Sequence, residues 1–178
     1  VRNATEWQHS NARSCGAAEI SRIRIFRDEN APMIAEIFFS AIHQIASAHY
    51  TRAQVDAWAP AIPDSERFVV RGSDGRTIFV AVDEQDSPIA FGDLEPDGHI
   101  DHLFCSPAHA GTGVTATLYD RLEAAGRAAG IDFLYVEASE PARRFFLKRG
   151  FQVDHRRDFE IRGVTIHNYR MTKTLHQD

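Results

Sequence analysis

Two titratable side chains, His99 and Asp101, stand just ahead of a small-residue loop, Ser106-Pro-Ala-His-Ala-Gly-Thr-Gly113. Read as a strand, residues 99–105 place His99 and Asp101 on one face, because strand side chains alternate. At a strand rise of about 3.3 Å per residue their Cβ atoms lie roughly 7 Å apart, a gap that one water bridges. An imidazole or a carboxylate can accept a proton from a reacting group. Glycines at 111 and 113 let a ligand's oxygens approach the backbone closely. A helix entered near Gly113 adds unpaired N–H groups and the positive end of its dipole, which suit a phosphate. An anion cradle beside a proton acceptor is the outline of a group-transfer site.

The flanking patterns supply the elements that position these residues. Ile23 and Ile25 alternate with arginines as a first strand. Ile34, Ile37, Phe38, Ile42 and Ile45 fall at helical spacing, so the periodicity predicts a helix over 31–47, with Pro32 tolerated in its first turn. Thr51 and Gln54 form a capping-box pattern for a second helix that ends at Trp58, before Pro60 and Pro63. Residues 67–71, 77–83 and 88–94 read as three strands, the last two joined as a hairpin. Val114, Leu118, Leu122 and Ala125 line one face of a helix from 113 to 129, with Gly130 just past its end. The run Phe133–Val136 is continuously apolar, as in a strand buried on both faces. Ser139 caps a short helix with Pro141 in its first turn and Gly150 beyond its end. Strands at 151–161 and 164–173 follow, and a slip in apolar phase suggests a bulge near Asn168. Antiparallel strands, one β–α–β crossover and a final hairpin make a mixed α/β sheet.

Bulk properties exclude several classes. The 178 residues, 43% hydrophobic and 25% charged, suit one folded domain over 21–175, preceded by a polar tail at 1–20. A net charge of −5 argues against a nucleic-acid partner. The basic excess lies in 140–178, and the acidic balance elsewhere favours a cationic ligand over an acidic one. Cys15 and Cys105 define neither a disulfide framework nor a metal site. No apolar run reaches the length of a membrane span and no signal segment stands out, so the expectation is a soluble cytoplasmic protein without a membrane partner.

Three stretches resemble the GNAT superfamily of acyl-CoA-dependent N-acetyltransferases, over residues 22–175. They are Leu103–Pro107 running into Gly111-Thr-Gly113-Val-Thr-Ala116, Ser139-Glu-Pro-Ala-Arg-Arg-Phe-Phe-Leu-Lys-Arg-Gly-Phe151, and His49-Tyr-Thr-Arg-Ala-Gln-Val-Asp-Ala-Trp-Ala-Pro60. The resemblance implies an α/β (α+β) fold, a mostly antiparallel twisted sheet of roughly six to seven strands with about four flanking helices. It implies acetyl-CoA as co-substrate, held by Ala110, Gly111, Thr112, Gly113, Val114, Thr115 and Ala116 at the pyrophosphate. Leu103, Phe104 and Cys105 then flank the thioester, with Ser139 and Phe146 beside the pantetheine arm. Asp101, and after it His99, occupies the position of a general base. No metal is implied. The acceptor would be a primary amine of a small molecule or peptide, acetylated by direct attack in a ternary complex, by a monomer or homodimer. His49, Tyr50 and Trp58, with His43, are candidates for the acceptor pocket.

The chain departs from the family pattern at Ala110, where a basic or amide side chain is usual, and at Thr115, where Gly or Ala is usual. Phe146 stands where many relatives carry a tyrosine that protonates the leaving thiolate. These departures keep a competing reading open, a non-catalytic acyl-CoA-binding or regulatory domain. A remoter one takes Gly111-x-Gly113-x-x-Ala116 as a dinucleotide fingerprint for NAD, although the glycines lie too far from the strand end. His102 points to the face opposite Asp101 and reads as structural. Cys105 and the Phe145, Phe146 and Phe151 group read as core.

Overall fold

Alternating strands build two antiparallel blocks, and the place where they part positions the site. The structure, a computed structural model, describes residues 22–175; the expected tail at 1–20, with Cys15, lies outside them. β1 (Arg22–Ile25), β2 (Thr77–Val82), β3 (Pro88–Leu94) and β4 (Leu103–Cys105) pair in that order, each antiparallel to the next. β5 (Phe133–Ala138), β6 (Gln152–Ile161) and β7 (Val164–Thr174) form the second block in the order β5-β7-β6. One parallel bridge joins the blocks at His99 and Tyr135, where Ile100 N–H donates to Tyr135 O at 2.9 Å and Tyr135 N–H to Gly98 O at 3.0 Å. Beyond it β4 and β5 diverge, and among the described residues no ladder joins Leu103–Cys105 to β5.

Helices cover both faces. α1 (Ala31–Gln44), α2 (Arg52–Trp58) and α3 (Glu66–Gly72) pack on one side through Ile34, Phe38, Val55 and Phe68 against Val80 and Phe91. α4 (Val114–Ala128) and α5 (Glu140–Lys148) pack on the other through Leu118, Leu122 and Phe146, with Leu134 and Met171. Each such side chain contributes about 1.5–3 kcal/mol on burial, so these stripes fix the helices to the sheet. The expected capping box opens α2: Gln54 N–H donates to Thr51 Oγ1 at 3.3 Å and Thr51 N–H to Gln54 Oε1 at 2.9 Å. Gly130 stops α4 as expected, at φ +71°. Among the described residues, seven strands and five α-helices give the expected mixed, mostly antiparallel α/β fold.

Four local expectations are corrected. Residues 67–71 are not a strand but α3, whose start is held by Asp64 Oδ1 accepting from Glu66 N–H at 3.0 Å. Alternation would bury Val70 together with Phe68; the helix buries Phe68 against Phe38 and Phe91 and leaves Val70 60% exposed. β5 is not buried on both faces: Leu134, Val136 and Ala138 face the core while Phe133 is exposed. The hairpin bulge lies at β6, where the register shifts between Val153 and His155, rather than near Asn168.

The fourth correction concerns residues 99–105. Only 103–105 form β4. Asp93 N–H donates to His102 O at 3.0 Å and Glu95 N–H to His99 O at 2.8 Å, so one β3 residue, Leu94, faces two, Ile100 and Asp101. This is a bulge, and it re-aims the side chains that follow it. Ile100 enters the α4-side core, while Asp101 and His102 both face the α1–α3 side.

Candidate active site

The glycine loop and the parting strands enclose a cavity of about 400 Å³. Gly111 and Gly113 adopt φ +79° and +92°, a left-handed backbone that glycine alone takes without strain. Open space lies in front of both, where an added Cβ would meet nothing within 4 Å. The first amides of α4 have no carbonyl a turn earlier and remain available to a ligand. Of the expected cofactor residues, Leu103, Phe104, Cys105, Gly111, Gly113, Thr115, Ala116, Ser139 and Phe146 line this cavity. Ala110, Thr112 and Val114 do not. Val114 is buried under the loop, and the Thr112 hydroxyl turns back to donate to His109 O at 2.7 Å. Thr115 hydrogen-bonds the Cys105 thiol, which burial pushes up in pKa, so Cys105 stays a thiol and is no nucleophile. Glycine cradle, helix terminus and apolar channel fit the pyrophosphate and pantetheine parts of coenzyme A.

A second cavity of about 250 Å³ lies on the α1–α3 side. Trp58, Phe104 and Ser139 line both cavities, so the two meet where β4 leaves β5. Asp101 and His102 both line the second cavity. His102 is 4% exposed, and its ring lies among Phe38, Phe68, Phe91 and Phe104. Asp93 holds it twice, accepting from the backbone N–H of His102 at 2.7 Å and from Nδ1 at 2.9 Å. Arg76 pins the same carboxylate at 2.9 Å. Asp101 Oδ2 at 3.3 Å and Arg71 Nη1 at 3.1 Å also approach Nδ1, so the polar partners of the ring gather at that nitrogen. Among the described residues no protein atom bonds Nε2.

Asp101 sits differently. Arg71 and Arg76 both pair with it, the latter at 3.4 Å. Burial pushes its pKa up, but His102 and Arg71 outweigh that and hold it at about 2. The ligand atoms of Asp93, Asp101 and His102 lie within 4.8 Å of one another, yet Arg71 and Arg76 already bring positive charge to these carboxylates.

The remaining candidates scatter. His99 lines neither cavity; it stacks on Tyr135 and its Nε2 bonds Glu137 Oε2 at 2.6 Å. Burial lowers its pKa, Glu137 raises it more, and the net shift is upward. Glu137, which does line the acceptor-side cavity, is held at about 2 by His99, against its own burial, and by Arg170. His49 is exposed, in the turn after α1, and touches neither cavity. His43 is tied to Ala59 O at 2.8 Å and stacks on Phe39. Tyr50 lines the second cavity, but its hydroxyl is committed: it donates to His167 O at 3.0 Å and accepts from Glu140 N–H at 2.9 Å. It thereby caps α5, a task the sequence assigned to the Ser139 side chain, which makes no such bond. The facing of His102 differs from the expectation because alternation ignores a bulge. The antiparallel partners of β4 remove the NAD fingerprint reading.

The parting of two strands beside a glycine loop at a helix start is the architecture of an acyl-CoA-dependent acetyltransferase. The Acetyltransferase (GNAT) domain family matches residues 46–173, and the chain belongs to it. It is 36% identical to a GCN5-related N-acetyltransferase structure from Rhodopseudomonas palustris, with TM-score 0.80 over 89% of this chain and 98% of that one. It is 28% identical over 150 residues to YafP, an uncharacterised N-acetyltransferase of Escherichia coli K12, covering 84% of this chain and 93% of the relative. A GNAT superfamily phosphinothricin acetyltransferase from Sinorhizobium meliloti, in complex with acetyl-CoA, shares the fold at TM-score 0.70 and 15% identity, over 88% and 89% of the two chains.

Proposed function

We propose that the chain transfers an acetyl group from acetyl-CoA to a primary amine by direct attack in a ternary complex. The junction of the two cavities at Trp58, Phe104 and Ser139 carries this reading, because it lets a thioester and an amine meet without a covalent enzyme intermediate. Gly111, Gly113 and the first turn of α4 hold the pyrophosphate. The amides of Leu103–Cys105 on the edge away from β3 polarise the thioester carbonyl as an oxyanion hole. The acceptor amine arrives protonated, loses a proton to His102 Nε2, and attacks the carbonyl carbon. Asp93 fixes the tautomer and balances the imidazolium, as a carboxylate does for a catalytic histidine. Asp101, already held as an anion by two arginines, is a weak proton acceptor and a good partner for the positive charge on the attacking nitrogen. The thiolate leaves with a conjugate-acid pKa near ~8.5, so Phe146 in place of a tyrosine is compatible with turnover.

Thiol release from acetyl-CoA across a panel of amines and amino acids tests this, together with calorimetry against CoA and NAD. Tight CoA binding without acceptor-dependent release would favour the non-catalytic reading that Phe146 motivates. Binding of NAD but not CoA would sink both.

A further inference from the structure

Each titratable group around the acceptor-side cavity has a partner of complementary chemistry, with one exception among the described residues. Asp101 pairs with Arg71 and Arg76; Glu137 with His99, Arg157 and Arg170; His102 with Asp93; His167 with Glu140. Arg67 of α3 lines the same cavity, and no ion pair or hydrogen bond joins its guanidinium to any described residue. It lies over the Phe38 ring, 5.8 Å from the centroid. Burial and the neighbouring Arg71 both disfavour its charge, and the opposing influence of Asp101 is weaker. The residue as a whole stays exposed, so water solvates it while the site is empty; a guanidinium in the cavity wall without a protein counter-ion is free to pair with an anion, and its planar fork matches a carboxylate.

We propose that the acceptor is a small amine that also carries a carboxylate on an apolar body. Its carboxylate meets Arg67, and its body lies against Phe38, Trp58, Phe104 and Phe159. The volume of about 250 Å³ equals some eight waters at ~30 Å³ each, room for a small molecule. This departs from the expectation that a cationic ligand is favoured over an acidic one, because a purely cationic molecule would bring its charge beside Arg67 and leave that residue unpaired. The proposal rests on the acetyl-transfer reading above.

The full chain is assayed for thiol release with 4-(aminomethyl)benzoate and 4-(aminomethyl)benzamide, which differ in the charge of the group remote from the amine. In parallel, calorimetry measures binding of both compounds to the CoA-loaded protein. Wild type should favour the benzoate by about 10-fold or more in kcat/KM and in Kd, the size of one charge-assisted hydrogen-bonded pair. Arg67→Gln should bring the two compounds within about twofold, and Arg67→Lys should keep part of the preference. Equal binding, no binding of either compound, or a preference that survives Arg67→Gln overturns the proposal. Charge-dependent binding lost in Arg67→Gln without thiol release upholds the recognition and counts against the transfer reading. Thiol release indifferent to the carboxylate does the reverse.

Discussion

At the scale of single residues, the competition is between three candidate bases. Asp101 has a depressed pKa and two arginine partners; His99 is engaged by Glu137 outside both cavities; His102 keeps one nitrogen unpaired at the cavity wall. His102→Gln should therefore lower kcat by roughly 10²–10⁴-fold with little change in the KM for acetyl-CoA, and Asp101→Asn should cost less. Steady-state kinetics from about pH 6 to 9 decides this: a near-wild-type His102→Gln beside a crippled Asp101→Asn would return the role to Asp101. The His99–Glu137 pair makes a separate prediction about stability. Glu137 is depressed to about 2 from 4.5, so its contribution is present above pH 4.5 and fades as pH falls toward 2. His99 is raised above 6.5, so its contribution is complete below pH 6.5 and is lost as pH rises through the folded-state value. The pair thus stabilises most between pH 4.5 and 6.5. His99→Asn should flatten the decline of Tm above that window; an unchanged slope would show that other groups cause it.

At the scale of elements, the loop into α4 joins backbone strain to ligand binding. Gly113, the residue before the helix, holds φ +92° with open space in front of it, so Gly113→Ala meets no clash and feels only the left-handed backbone. The expected cost is about 1–2 kcal/mol, a Tm lower by a few degrees. The new methyl group also stands off the pyrophosphate, and the Kd for CoA should weaken by about tenfold, the loss of one amide–phosphate hydrogen bond. Thermal denaturation and calorimetry separate the two effects. A variant that loses stability yet keeps wild-type CoA affinity would place the pyrophosphate away from this loop.

At the scale of the molecule, two antiparallel blocks touch at one parallel bridge, and side chains must span the gap that the site needs open. Tyr50 is such a link: from the turn between α1 and α2 it reaches the start of α5 and the backbone of β7. Tyr50→Phe leaves Glu140 N–H and His167 O without that hydroxyl and should cost about 1–3 kcal/mol, read as a drop in Tm by differential scanning calorimetry. An unchanged Tm would mean that water replaces the hydroxyl and that the bridge at His99 and Tyr135, with packing, holds the blocks.

Local chemistry made much of this protein legible in one dimension. The helical spacing of Ile34, Phe38 and Ile42, the Thr51–Gln54 box and Gly130 are decided within a few residues, and the structure has each where the pattern placed it. The glycine loop was legible for the same reason, since Gly111 and Gly113 answer to their own backbone angles. What the sequence could not decide depended on partners distant in the chain. Residues 67–71 have strand-like composition, but the slot between α1 and β3 accepts only Phe68, and that selects a helix. Alternation separated Asp101 from His102, whereas the ladder to β3 slips by one residue at Leu94 and turns both toward one cavity. A bulge is set by how two strands register against each other, and neither strand carries that register alone. The pairing of Asp93 with His102 and the lack of a counter-ion at Arg67 likewise exist only once β3, β4 and α3 share a wall.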